Sequence, residues 1–302
     1  MHKWLKWFGI IMGSILVLML VALGGLYWRS QALLNRVYTA PPIAITVPTD
    51  AASIARGEHL AKYVSVCVDC HGANLEGSIV VDDPVLGRIV APNLTTGAGG
   101  LGGKLSDAQM ATVLRYGILT DGRSAKIMPS DDYQHLSNED LGALIAYVRS
   151  VPPQDSDLPA NEIRLFGRIL FALGRLPILI AERIDPANEP PTALTPTVSL
   201  EYGHYLSNIA GCTGCHGPGL SGGPIPAAPP DWPQAANLTP GGPVGQWSEA
   251  DFINTIRTGI DPAGKKLVQE MPWFRYRDMR DDELKAIWLF VQSVPAQAMG
   301  NR

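Results

Sequence analysis

The segment SVCVDCHGANLEG (65–77) sets two thiols three positions apart, Cys67 and Cys70, with an imidazole, His71, directly after the second. AGCTGCHGPGLSG (210–222) repeats the arrangement with Cys212, Cys215 and His216. Three chemistries use such a string. A structural zinc site takes four ligands, commonly from two cysteine pairs brought together. A thioredoxin-like disulfide sits in a βαβ context. Covalent haem attachment has C-x-x-C-H as its signature, with both sulfurs becoming thioethers and the imidazole reaching the iron. One helical turn suits this last chemistry, because it presents both sulfurs to a ring edge and aims the next side chain at the metal.

The surrounding sequence chooses among them. IMPSDDYQHLSNEDLGALIAYVRSVPP (127–153) aligns without a gap to EMPWFRYRDMRDDELKAIWLFVQSVPA (270–296), sharing Met128/Met271, Pro129/Pro272, Tyr133/Tyr276, Leu141/Leu284, Ala143/Ala286 and a closing Ser-Val-Pro. Upstream, LSDAQMATVLRYGI (105–118) matches WSEADFINTIRTGI (247–260), and APNLT (91–95) matches AANLT (235–239). The landmarks run in one order twice, as in a tandem duplication. The two cysteine pairs lie 145 residues apart, each inside its own repeat, which disfavours a shared zinc, and no βαβ pattern surrounds either. Covalent haem in each repeat is the reading that survives. All four cysteines belong to the motif, so their number says nothing further about redox compartment.

A haem iron has two axial positions. His71 and His216 take one in each repeat, and a methionine thioether is a common partner across the ring. Met128 and Met271 are the methionines at equivalent repeat positions, each followed by proline. Met110 and Met279 read as core filler, since the other repeat puts Phe252 and Leu136 at their positions. His2, His59, His135 and His204 read as surface residues, with His59 and His204, which correspond if one gap is allowed, as the alternative ligand pair. Arg115 and Arg257 share the place in VLRYG and TIRTG; a haem propionate and plain solvent are both open as their partner. Asn93 and Asn237 of the N-L-T strings either fix a loop over the haem edge or simply form a turn.

The elements that must position these groups are short helices. Ser106 and Ser248 are N-caps, with helices that stop at Gly117 and Gly259. A last helix in each repeat starts near Ser137 or Arg280, and Leu141, Leu144, Ile145 and Val148 give it one apolar stripe. No alternating strand pattern stands out, so the fold class is mainly α. Residues 38–153 form the first module, 154–199 a linker and 200–302 the second module. In the linker, Arg164, Arg168 and Arg175 fall close to one helical face. Two readings stand for that helix: packing on the modules, or lying at a membrane surface or a partner.

The N-terminus supplies the anchor. From Phe8 to Trp28 run 21 residues without a charge, enough to cross about 30 Å of hydrocarbon. Trp4, Trp7, Tyr27 and Trp28 flank them, as interfacial aromatics do. The exit LYWRSQALLNR is too bulky for a signal-peptide cleavage site, so residues 1–37 read as an uncleaved transmembrane helix and its flank. The net charge of −4 on 302 residues carries no basic run and excludes a nucleic-acid partner.

Over roughly residues 50–297, the C-x-x-C-H, N-L-T, Arg-x-Gly and Met-Pro-x-x-x-Tyr landmarks resemble those of the cytochrome c subunits of membrane-bound alcohol, gluconate and aldehyde dehydrogenases. Those relatives often carry three haems, whereas this chain has two C-x-x-C-H motifs and an N-terminal anchor. The resemblance implies two tandem class I cytochrome c domains, two haem c groups and electron transfer rather than catalysis. It implies a dehydrogenase or respiratory-complex subunit as partner and an oxidase or small cytochrome as acceptor. It also implies a single-pass protein of the cytoplasmic membrane, N-terminus cytoplasmic and haem domains periplasmic. A free-standing tethered carrier and, further off, a dihaem enzyme such as a peroxidase or thiosulfate dehydrogenase are the alternatives. The ligand loop of the second module is cationic and that of the first acidic, which predicts that the two face different partners.

Overall fold

The computed structural model describes residues 2–189, 191, 193–226, 228 and 231–301. Its first element, α1 (His2–Leu34), is a single helix. Among the described residues it alone is long and apolar enough to cross a membrane, and none of its most apolar window is covered by the rest of the protein. Large apolar side chains left bare along the apolar window of a helix are what hydrocarbon, not water, accommodates.

Each module then builds the same set of helices. In the first, α2 (Ala51–His59) is capped by Asp50, which accepts from the Ser53 amide at 2.9 Å, and runs into a π-helical turn, Leu60–Val64. The attachment turn α3 (Val68–His71) follows, then α4 (Asp107–Tyr116), the one-turn α5 (Ser130–Tyr133) and α6 (Asn138–Ser150). The second module repeats this as α8 (Leu200–Ile209), α9 (Cys212–His216), α10 (Glu249–Thr258), α11 (Trp273–Tyr276) and α12 (Asp281–Ser293), with α7 (Leu165–Ala172) lying in the linker. Ser106 and Ser248 form reciprocal capping boxes with Gln109 and Asp251, and Gly117 and Gly259 close their helices in the left-handed conformation, as the sequence predicts.

Helix α2 crosses α6, and α8 crosses α12, at a glycine each time. A Cβ on Gly57 would fall 1.9 Å from the Ala143 carbonyl oxygen, and one on Gly203 would fall 1.9 Å from that of Ala286. The chains touch backbone to backbone there. Leu60, Val64, Leu136, Leu141 and Ile145 of one module and Leu206, Ile209, Leu284 and Val291 of the other form one continuous core, with Met110 and Met279 buried inside it.

Two expectations fail. The first module contains a hairpin, β1 (Ser78–Asp83) and β2 (Gly87–Ala91), extended by β3 (Glu162–Ile163) from the linker. The β-branched run SIVV, the Asp-Pro-Val-Leu-Gly turn and RIV encode it; a bulge between Ile79 and Val81 breaks the alternation that would have announced it. In the linker, α7 spans only Leu165–Ala172, so Arg164 precedes it, Arg175 lies beyond it, and only Arg168 sits on it.

The modules meet through an ionic network. Glu283 of α12 has no exposed side-chain surface and bonds Arg56 (3.1 Å) and His59 (2.7 Å) of α2 as well as Arg280 (2.9 Å) of its own module. Arg56 also grips Asp140 of α6 through two bonds, at 2.9 and 2.8 Å, and Tyr205 of α8 donates to Asp140 at 2.7 Å. His59 is therefore an interface residue rather than a surface one, whereas His135 and His204 are exposed; the side chain of His2 lies outside the described residues.

Burial alone would raise the Glu283 carboxyl, but hydrogen bonding and charge from His59 and Arg280 outweigh it and hold the group below its ordinary 4.5. A carboxylate depressed in the fold stabilises it above its unfolded pKa, and that contribution is lost as pH falls through the folded value. Acidification below about 4.5 should loosen the module contact, and Glu283→Gln should flatten that part of the stability–pH curve; an unchanged acid limb would contradict the network. Gly203→Ala should lower the melting temperature by an amount equivalent to about 1–3 kcal/mol, the usual cost of overpacking. An unaltered melt would show that the helices stand further apart.

Candidate haem sites

Each attachment turn begins with a residue in the left-handed region, Val66 (φ 42°) before Cys67 and Gly211 (φ 72°) before Cys212. Glycine takes this conformation freely, but a β-branched valine is strained in it. The turns then orient the imidazoles identically. His71 Nδ1 lies 2.8 Å from the Pro92 carbonyl and His216 Nδ1 lies 2.7 Å from that of Ala236. A carbonyl can only accept, so Nδ1 carries the proton and Nε2 the lone pair, the form a metal requires. Burial lowers the pKa of His71, which favours the neutral ring.

The carbonyls that hold the rings belong to the residues just before N-L-T. Asn93 Oδ1 accepts from the amide and hydroxyl of Thr95, both at 2.8 Å, and its Nδ2 donates to Gln154 O at 2.6 Å. Asn237 does the same with Thr239 (2.9 and 2.8 Å) and Gln297 (2.8 Å). The asparagines thus form the turn and tie it to the end of the module, next to the carbonyl that holds the imidazole. Sequence reasoning missed Gln154 and Gln297, although both modules close on Ser-Val-Pro-x-Gln.

Met128 and Met271 are half-buried and pack against the core. Each precedes a proline that starts a one-turn helix. Ile127, before Met128, is held at φ 51°, an unusual conformation for a β-branched residue. Tyr133 then donates to the Ser65 carbonyl at 2.7 Å and Tyr276 to that of Ala210 at 2.6 Å. Those carbonyls lie two residues before the first cysteine of each motif. The shared tyrosine therefore ties the methionine loop to the attachment turn.

Arg115, 2% exposed, donates to Gln134 O and Asn138 Oδ1, both at 3.0 Å. Arg257 repeats the clamp on Arg277 O and Asp281 Oδ1. Both arginines hold α4 or α10 to the turn after the methionine loop, and Arg257 is committed to these partners. Arg115 Nε, however, is a buried donor without a partner, as is Trp273 Nε1.

These groups fit a porphyrin better than a metal ion or a disulfide. Burial pushes Cys67 and Cys212 up to about 12 and raises Cys70, so these thiols are not the thiolates that exchange disulfides. Among the described residues no group of three or more His, Cys, Asp or Glu side chains is placed to hold an ion. Two orphaned N–H donors beside the methionine loops call for acceptors, which the carboxylates of a haem supply.

Residues 54–152 match the family model for cytochrome c, and residues 202–291 match that for subunit III of cbb3-type cytochrome c oxidase. Both modules are cytochrome c domains. Their cofactor is haem c, with two domains corresponding to two copies. The whole chain is similar to the fructose dehydrogenase cytochrome subunit of Gluconobacter japonicus, 29% identical across 84% of this chain and 56% of that one. It is 28% identical to the gluconate 2-dehydrogenase cytochrome c subunit of Pantoea cypripedii, across 82% of this chain and 60% of that one. The cytochrome c subunit of the quinone-dependent alcohol dehydrogenase of Gluconacetobacter polyoxogenes is 26% identical across 84% of this chain and 58% of its own length. The chain thus spans little more than half the length of the cytochrome subunits it matches.

The cytochrome domains face each other through their methionine loops. Arg275, after Met271, bonds Asp69 of the first attachment turn at 2.5 Å. Asp132, after Met128, sits against Gly211 and Gly214 of the second turn, and burial with the nearby Asp131 raises its carboxyl to about 7. Ser65 reaches the Ile209 carbonyl at 3.2 Å. The charges that distinguish the two loops are paired within the structure. Arg275 is spent on the other domain, Arg277 pairs with Asp278, Arg280 with Asp282 and Glu283, and Asp131 with Arg183.

Tyr133→Phe should leave the Ser65 carbonyl buried and unpaired at a cost of about 1–3 kcal/mol. The expected sign is loss of methionine ligation at one haem on mild heating, with both haems still covalently attached on a haem-stained gel. Ligation as heat-resistant as in the unaltered protein would dismiss the tyrosine tie.

Proposed function

We propose that the chain is the electron-transferring cytochrome subunit of a dehydrogenase complex, with Cys67, Cys70, Cys212 and Cys215 as thioether links and His71/Met128 and His216/Met271 as axial pairs. The observation that carries this reading is the reciprocal contact of the two sites, each ligand loop resting on the other domain's attachment turn. Bound haem supplies a one-electron Fe(III)/Fe(II) couple whose potential the thioether, burial and hydrogen bonding set. The chain's own residues hold everything else still. The carbonyls of Pro92 and Ala236 fix the imidazoles, Tyr133 and Tyr276 fix the methionine loops, and the shared core keeps water out. With both axial positions filled by protein, no substrate site is left at either iron, which supports a carrier rather than a peroxidase-like enzyme.

The names of the relatives supply the partner class: each is the cytochrome subunit of a dehydrogenase. A dehydrogenase is thus the electron donor in this reading, with an oxidase or small cytochrome as acceptor. Residues 38–153 and 200–302 would be the two haem domains, separated by the 154–199 linker. Because covalent haem is attached outside the cytoplasm, both domains would be periplasmic and the N-terminus of α1 cytoplasmic.

Met271→Ala tests the ligand set. In the oxidised protein the near-infrared methionine-to-iron band should fall to about half, with the other haem unaffected. A band of full intensity would remove Met271 from the site. Solubilised gently, the unaltered protein should bring a large oxidoreductase subunit with it; recovery of this chain alone from every detergent would leave a lone carrier.

A further inference from the structure

We propose that α7, with the tip of the β1–β2 hairpin, is a second membrane contact that lies in the headgroup region of the bilayer crossed by α1 and seats the first domain on its surface.

The depth of α7 is fixed by α1. Arg168 stacks its guanidinium 4.9 Å from the Tyr27 ring centre and donates to Gln31 Oε1 at 2.9 Å and Ser30 Oγ at 3.3 Å. Phe171, Ile178 and Leu179 enclose Leu33 and Leu34 at the end of the same helix. The uncharged stretch of α1 ends at Trp28 and is about as long as the hydrocarbon is thick. The contacts with α7 therefore fall at the boundary where the acyl chains give way to headgroups.

The buried side of α7 is Gly167, Phe171 and Ala172. Its other side is apolar too. Leu165, Ile169 and Leu173 recur every fourth position with Phe166 beside them, and Leu165, Phe166 and Leu173 are 56%, 50% and 56% exposed. No polar side chain interrupts this stripe. The hairpin tip extends it: the Arg164 amide donates to Leu86 O at 3.0 Å, and Pro84 and Val85 stand out beside the start of α7. Trp28 is 76% exposed at the same level. A soluble face of this size would leave large side chains in water with nothing gained, whereas an amphipathic surface at the lipid boundary buries them. Arg29 and Arg175, both exposed, are placed to meet lipid phosphates. Continuity with the span selects lipid over a protein partner, because this stripe cannot move away from the bilayer that α1 occupies.

The test uses the full-length holoprotein in lipid nanodiscs. Its native cysteines are consumed as thioethers, so Phe166→Cys and Leu173→Cys carry a nitroxide at one site each, with Lys265→Cys as the control. The labels at 166 and 173 should collide with oxygen several-fold more often than with a nickel chelate, and the label at 265 should show the reverse. Nickel-chelate access at 166 and 173 equal to that at 265 would overturn the proposal. So would protection that appears only when a co-purifying subunit is present. Because a label at 166 can disturb the packing of α7 on α1, Leu165→Cys gives an independent reading, and the haem spectrum checks the fold of each variant.

Discussion

A carboxylate with no exposed surface stands between the two cytochrome domains, and their mutual placement depends on it. Removing Glu283 from water costs several kcal/mol unless its lone pairs are filled. Arg56, His59 and Arg280 fill them. The arrangement is nearly two-fold. Glu283 and Asp140 occupy equivalent repeat positions, and each is bonded by the other domain's leading helix, through His59 or Tyr205. Such a network tolerates little sliding, because a displaced domain would leave a buried charge unpaired. The close approach of the two attachment turns follows from this constraint.

The copies reach one site geometry by different local means. Glycine before the second motif takes the left-handed conformation without cost, while Val66 takes it under strain, so the first turn is held there by its surroundings. Ser130 follows the first Met-Pro and donates to Val113 O at 2.9 Å, whereas Trp273 follows the second and covers Gly259. Duplication preserved the hydrogen bonds that orient the two imidazoles and let the packing around them diverge.

Most of this was readable from the residues. The motif spacing and the helix caps are local signals, and the caps at Ser106, Ser137 and Ser248 form where the sequence puts them. What escaped notice was relational. Gly57 and Gly203 look like ordinary helix glycines until α6 and α12 are laid across them. The carbonyls of Pro92 and Ala236 have no side-chain signature at all. Arg275 and Asp132 read as surface charges because nothing in a single repeat reveals that the other repeat lies opposite. The hairpin was masked by its bulge, and the second module, proline-rich at that place, keeps among its described residues only the Gly223–Ala235 bridge of it.

The linker does more than join. Its strand β3 completes the sheet of the first domain, and the Ile180 amide bonds Ala125 O near the methionine loop at 3.3 Å. The first domain is therefore not complete when the last helix of its repeat has been made. It must wait for the linker residues through Ile180, the very ones that also clasp the end of α1. Assembly is thereby given a direction: the domain nearest the anchor matures only once its tether to that anchor has arrived.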